Sequence, residues 1–210
     1  NPFWKQLILF RGQSWGHLDP TDEVFNFFES MREYVDVRNI LEFGTNSCFS
    51  SMMQLEVHPL ATIHTFDPQS WSVRSGVRDQ KKLSKLPIAD IKMPDVAKFY
   101  YGERFQFRHD YSSNVKKYTS KFTNQGIGRF DYAFVDGDHS TEAATNDIQN
   151  CIDLGIKYII VDNMSVKTVS VAVESFGDSL IEVKRLPYSQ VHPTVEGCIT
   201  SESMILYEYK

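Results

Sequence analysis

The residues best suited to chemistry stand at the ends of short apolar runs. Glu42, Phe43 and Gly44 close one such run, Asp67 a second, Asp110 a third, Asp136 a fourth, and Asp162 with Asn163 a fifth. A single acid in such a place serves as a helix cap twice as readily as a ligand contact. Five on one rim are harder to explain so, because clustered carboxylates repel unless cationic or hydrogen-bonding groups fill the space between them. Gly44 permits a tight turn and close approach of backbone to a ligand. Asp67 follows it by 23 residues, near the offset of about 20 at which an acid accepts hydrogen bonds from ribose hydroxyls. No GxGxxG run follows Gly44, since Asn46 and Cys48 stand where further glycines would fall, and no Walker A sequence occurs. A nucleoside ligand without a pyrophosphate is the better inference. The unperturbed pKa of a histidine suits proton removal near neutrality, which makes His139 a candidate; a hydrogen bond within its own turn is the equal alternative. Asp138 reads as a turn or cap residue.

The elements that position these residues follow from periodicity. Val24, Phe27, Phe28, Met31 and Val35 recur at spacings of three and four, predicting a helix over 20–35 that starts at Asp19 and Pro20. Strands are predicted over 39–44, 62–67, 104–110, 130–136 and 158–162, with helices over 47–57, 113–122, 140–154 and 167–176. Alternating strands and helices build βαβ units and a Rossmann-like, doubly wound α/β fold with a mostly parallel sheet. Residues 180–187 and 199–209 are successive strands, predicted to pair antiparallel at one sheet edge. In such sheets ligands bind at the carboxyl ends of the strands, where the acids stand. The whole of 1–210 reads as one domain, with an N-terminal helical segment over 1–36. Residues 68–103, with Trp71 and basic residues from Arg74 to Lys85, are too long for an ordinary connection; they read as an insertion, either a lid or extra helices at the sheet edge.

Composition narrows the function classes. Lys plus Arg number 22 against 27 Asp plus Glu, a net charge of −5, which disfavours nucleic acid as a partner. The cluster Arg78, Lys81, Lys82 and Lys85 is the one feature in its favour. No apolar run reaches the ~18 residues of a membrane span, and the first residues lack the basic lead and cleavage site of a signal peptide. Cys48, Cys151 and Cys198 follow no disulfide or metal spacing; they read as reduced thiols of a cytoplasmic protein.

The runs ILEFGTNSCFSS, IHTFDP, FDYAFVDGDHSTEAATNDI and YIIVDN, within residues 38–165, resemble the class I S-adenosylmethionine-dependent methyltransferases. The VDGDHS run is most similar to the small-molecule O-methyltransferase branch that includes the macrocin-type sugar enzymes and, more distantly, the catechol and caffeoyl-CoA enzymes. The resemblance implies a seven-stranded sheet, S-adenosylmethionine as cofactor and methyl transfer to a hydroxyl of a small-molecule acceptor. It implies that Glu42, Gly44, Thr45, Asn46 and Ser50 hold the methionine part, that Asp67 holds the ribose, and that Asp110 and Tyr111 lie near the adenine. It makes His139 a general base. It matches Asp136, a cofactor residue as well, with Asp162 and Asn163 to a site for Mg²⁺ or another divalent cation; two carboxylates and an amide oxygen suit such an ion. Where family members commonly keep a glycine this chain has Cys48, which is expected to narrow the cofactor loop. Other readings are a non-catalytic module of the same fold, an NAD-dependent enzyme and a nucleic-acid methyltransferase. Acceptor and oligomeric state are not legible.

Overall fold

The computed structural model describes residues 22–69, 90–191 and 199–210. Seven strands form one sheet: β1 Asn39–Phe43, β2 Thr62–Phe66, β3 Phe105–Arg108, β4 Tyr132–Val135, β5 Tyr158–Val161, β6 Leu180–Val191 and β7 Ile199–Tyr209. The spatial order is β3-β2-β1-β4-β5-β7-β6. The first five strands pair in parallel and β7 runs antiparallel between β5 and β6. Chain order reverses beside β1, so β1 and β4 flank the switch point at which a crevice opens.

Alternation along the strands divides the core. Ile40, Ile63, Tyr132 and Phe134 face α1 (Asp22–Glu29) and α2 (Phe49–Val57), whose Val24, Phe28, Met52 and Met53, with Met31 just after α1, complete one buried cluster. Leu41, Phe43, Phe66, Ala133 and Val135 point to the opposite face. There they pack with Phe122 of α4 (Thr119–Asn124), Ile148 and Cys151 of α5 (Thr141–Asp153), and Val169 of α6 (Lys167–Glu174). With both faces covered, the central strands are apolar throughout. The buried exceptions are Glu42 of β1, which points at α2, and His64 and Thr65 of β2.

The predicted strands are all present. The helix predicted over 20–35 is α1 extended by a 3-10 turn, Ser30–Glu33, and its expected cap at Asp19 and Pro20 lies outside the described residues. The helix predicted over 113–122 divides into a 3-10 segment, Ser112–Tyr118, and α4. The strand expected over 180–187 continues to Val191. Pro187 is tolerated because β6 is the outermost strand, where a missing N–H breaks no second ladder. Of the 68–103 insertion, the described part contains α3 (Met93–Tyr101); Trp71 and the basic cluster lie outside the described residues. No described helix is long and apolar enough to cross a membrane.

Candidate active site

The strand-end acids are aligned by the last rungs of the sheet. Asp136 N–H donates to Phe43 O at 2.9 Å, Asp162 N–H to Val135 O at 3.0 Å, Gly44 N–H to Phe66 O at 3.0 Å and Asp67 N–H to Arg108 O at 3.1 Å. Each peptide closes its ladder and leaves the next side chain on the rim. Around this rim lies a cavity of about 550 Å³. Its walls include Gly44 and Asn46 after β1, Asp67 to Gln69 after β2, Tyr111 to Ser113 after β3, Asp136 to Asp138 after β4, and the first turns of α5.

The turn after β1 needs its glycine. Gly44 has φ +89°, and a Cβ there would land on the backbone carbonyl of Asp136. Asn46 and Cys48 also adopt positive φ, 43° and 63°, which is uncommon for residues with a Cβ. The loop is held by Asp67: Oδ2 accepts the Asn46 N–H and Oδ1 the Gln69 N–H, each at 2.7 Å. Burial pushes the Asp67 carboxyl above its usual pKa, against those two bonds. Asn46 Oδ1 is buried without a hydrogen-bond partner. Asn46 itself is one of the residues that line the cavity.

Five carboxylates line the cavity (Asp67, Asp136, Asp138, Glu142 and Asp147), and no Lys, Arg or His is among the described residues that do. Such a space suits a ligand with a cationic centre and hydroxyl donors, and repels phosphates. A cofactor with a sulfonium, an ammonium and a ribose diol fits it.

Not every expected cofactor residue faces this space. Gly44, Asn46, Asp67, Tyr111 and Asp136 do. Glu42, Thr45 and Ser50 lie beneath the loop. Glu42 is fully buried and accepts hydrogen bonds from Ser50 Oγ at 2.7 Å, from Gln54 Nε2 at 3.1 Å and from the Ser51 hydroxyl. Burial raises its pKa to about 7 against those donors. The Thr45 hydroxyl pairs with that of Thr65. Asp110 instead orders the 3-10 segment: its oxygens accept from Tyr111 N–H at 2.8 Å, Asn114 Nδ2 at 2.7 Å and Tyr118 Oη at 3.0 Å. Cys48 is buried in the cluster under α2 and is not a wall of the cavity, so its side chain does not narrow the described cofactor space.

Beside the cavity, Asp136, His139, Asp162 and Asn163 converge. Asn163 Nδ2 donates to Asp136 Oδ1 at 3.0 Å, and His139 Nε2 approaches the same oxygen at 3.4 Å. The hydrogen bond with Asp136 raises the His139 pKa, against a smaller desolvation effect. Asp162 is 3% exposed; burial first, then the Asp136 charge, push its carboxyl well above the usual range. Tyr188 Oη donates to Asp162 Oδ1 at 2.7 Å. Asp138 accepts the Ser140 N–H at 2.7 Å, and Ser140 caps α5 through the Ala143 N–H. Asp138 therefore shapes the turn that presents His139.

The expected cation ligands have suitable donor types, but in this arrangement they do not fit an ion. Asn163 turns its NH₂ rather than its oxygen to Asp136, and Tyr188 covers Asp162 Oδ1. Among the described residues no group of three or more His, Cys, Asp or Glu side chains is placed to hold a metal.

Sequence reasoning missed Tyr188, which reaches the site from an edge strand with no local signal. It also missed Asp147, whose signal was available: it falls on the stripe Ala144, Asp147, Ile148 and Cys151 that α5 buries.

A seven-stranded sheet of this order, with β7 antiparallel between β5 and β6 and a crevice at the carboxyl ends of the parallel strands, is the class I S-adenosylmethionine-dependent methyltransferase fold. Residues 41–155 match a family described as a methyltransferase domain, and the chain belongs to that family. No curated protein matches it. Solved structures similar to it include an O-methyltransferase from Bacillus cereus in complex with SAH (15% identity, 97% of this chain and 88% of that one, TM-score 0.58). A proposed RNA methyltransferase from Pyrococcus horikoshii matches at 8% identity over 99% of this chain and 98% of its own, TM-score 0.61. A proposed caffeoyl-CoA O-methyltransferase from Staphylococcus aureus matches at 13% identity over 98% and 90%, TM-score 0.58. At these identities the likeness is one of fold.

Proposed function

We propose that this methyltransferase moves the methyl group of S-adenosylmethionine to a hydroxyl of a small-molecule acceptor, with His139 taking the hydroxyl proton. The acid-lined cavity carries the reading: five acidic residues line it, with no basic side chain among the described residues that do. The same acids oppose a pyrophosphate in this cavity, and with it NAD. When bound, the cofactor supplies a methyl group on a sulfonium centre. The chain's contribution is position and field. Asp67 takes the ribose hydroxyls on the lone pairs that its backbone bonds leave free. Asp136 orients His139 and stabilises the imidazolium formed when a hydroxyl proton is taken.

No step is assigned to Mg²⁺. A cation at Asp136, Asp162 and Asn163 would require the Asn163 amide to turn over and Tyr188 to leave Asp162. Methyl transfer unchanged in EDTA supports the metal-free reading; transfer restored only by Mg²⁺ would overturn it. Acceptor choice is assigned to residues 1–20, 68–103 and 187–198, the stretches outside the recognisable motifs.

The direct test is thermal stability with S-adenosylhomocysteine. A ligand at about 100 times its dissociation constant adds about 2.7 kcal/mol. No shift at millimolar ligand removes the cofactor reading. Binding without product over a broad hydroxyl panel, followed by mass spectrometry, would leave a non-catalytic module of the same fold.

A further inference from the structure

Asp147 is an acid where the packing of α5 asks for an apolar residue. It sits between Ala144 and Ile148 on the buried stripe, and only 2% of it is exposed. Burial pushes its pKa to about 7, opposed by a hydrogen bond from Ser112, with the Asp138 charge adding to the rise. An alanine or leucine there would avoid the desolvation cost. The carboxyl nonetheless forms part of the cavity wall, next to Ser112 and Gly137.

The surroundings make room for this carboxyl. A Cβ added at Gly137 would lie 2.9 Å from Asp147 Oδ2, closer than real Cβ contacts come. The glycine of the Asp136-Gly137-Asp138 turn is thus matched to an acid ten residues further on. Asn150 Nδ2 reaches Ser112 O at 3.5 Å, joining α5 to the 3-10 segment on the same side. Meanwhile Asp110, the acid expected at the adenine, spends its oxygens on Tyr111, Asn114 and Tyr118. The wall beyond Asp67, toward β3, therefore offers Tyr111, Ser112 and Asp147 to whatever follows the ribose.

We propose that Asp147, oriented by Ser112, reads the base of the cofactor by accepting a hydrogen bond from the exocyclic amine of a 6-aminopurine. The inference rests on the cofactor reading above and adds a specificity residue to it. A 6-oxopurine presents a carbonyl where the amine was and leaves both acceptors facing one another. A site built around a hydrogen bond rejects an analogue that cannot make it far more strongly than an apolar site rejects a size mismatch.

The experiment is calorimetric titration with S-adenosylhomocysteine and its 6-oxo counterpart, S-inosylhomocysteine, on wild type, Asp147→Asn and Ser112→Ala. Wild type is expected to prefer the amino ligand by at least about tenfold. Asp147→Asn, whose amide can turn to donate to a carbonyl, should bring the two affinities within about threefold. Ser112→Ala should fall between them. The ratio of two ligands on one protein cancels general losses of stability, and Ser112→Ala gives the answer if Asp147→Asn does not fold. Good S-adenosylhomocysteine binding with a wild-type ratio in the folded variants overturns this inference alone. Binding of neither ligand to wild type overturns the cofactor reading and this inference with it.

Discussion

Asp67 Oδ2 accepts the backbone N–H of Asn46 at 2.7 Å, so the acid proposed for the ribose also ties the end of β2 to the loop after β1. Its other oxygen takes the Gln69 N–H. Asp67→Asn keeps the shape but turns an NH₂ toward one of these donors. Leaving a buried donor unmet costs about 1–3 kcal/mol. The expected outcome is a lower urea midpoint and at least a tenfold weaker affinity for S-adenosylhomocysteine, measured by calorimetry. An affinity loss without any stability loss would show that the loop does not depend on this tie.

Gly44→Ala should be more severe than any side-chain change at the rim. Its φ of +89° disfavours a Cβ, and the obstruction is the Asp136 backbone, which cannot rotate away as a side chain could. The added methyl must separate β1 from β4 at the switch point. A loss of more than about 3 kcal/mol is expected from the combined strain and clash, read as a fall in thermal midpoint. Wild-type stability in this variant would disprove the close approach of the two strand ends.

Glu42 gives a stability signature with a defined sign. Its pKa is raised from the usual 4.5 to about 7, chiefly by burial. Between those values the unfolded chain has released the proton and the folded chain keeps it. The stabilisation from this group is therefore complete below pH 4.5 and lost as pH rises to about 7. The size is roughly 3 kcal/mol. Glu42→Gln removes the ionisation while keeping an acceptor for Ser50 and Ser51. Its denaturation midpoint should exceed that of wild type at pH 8 and approach it at pH 5. Parallel curves for the two proteins would refute the burial of an ionisable group there.

The places where sequence reading succeeded and failed share a physical reason. Strands β1, β4 and β5 are largely apolar because both sheet faces are covered, and an acid directly follows β2, β4 and β5. That pattern places Gly44, Asp67 and Asp136 on the cavity with no structure in hand. It cannot say which way a rim side chain turns. Glu42 and Asp110 belong to the same pattern, yet one points at α2 and the other folds back onto its own 3-10 segment. Their direction depends on donors eight or more residues away for Glu42 and on a turn type for Asp110. Tyr188 was illegible for another reason: it meets Asp162 only through the antiparallel edge pairing.

His64 opposes Glu42 in the same pH range. It is buried against Phe122 and Phe130 with neither ring nitrogen hydrogen-bonded. Burial, with help from Arg108 and Lys121, lowers its pKa from 6.5 to about 4. The unfolded chain binds a proton below pH 6.5 and the folded chain does not, so stability is lost as pH falls from 6.5 toward 4. His64→Leu removes that loss. At pH 5 the variant should be more stable than wild type by about 2 kcal/mol, with a much smaller difference at pH 8. A destabilised variant at pH 5 would mean that the imidazole has a polar role its surroundings do not show.

His139 supplies the test of chemistry as distinct from binding. It is not a described wall of the cofactor cavity, but it contacts Asp136, which is. His139→Ala should lower turnover by about 10²–10⁴, the usual worth of a positioned base, and leave S-adenosylhomocysteine affinity within about threefold of wild type. The raised pKa sets the direction of the pH profile. Only the neutral imidazole accepts a proton, so turnover should climb with pH through an inflection above 6.5. Asp136→Asn removes the largest cause of the rise and should move the inflection down. Turnover that is flat from pH 6 to 9 in wild type, or an inflection unmoved in Asp136→Asn, would assign the proton to another group; Asp162, with Tyr188 on its other side, is the next to examine.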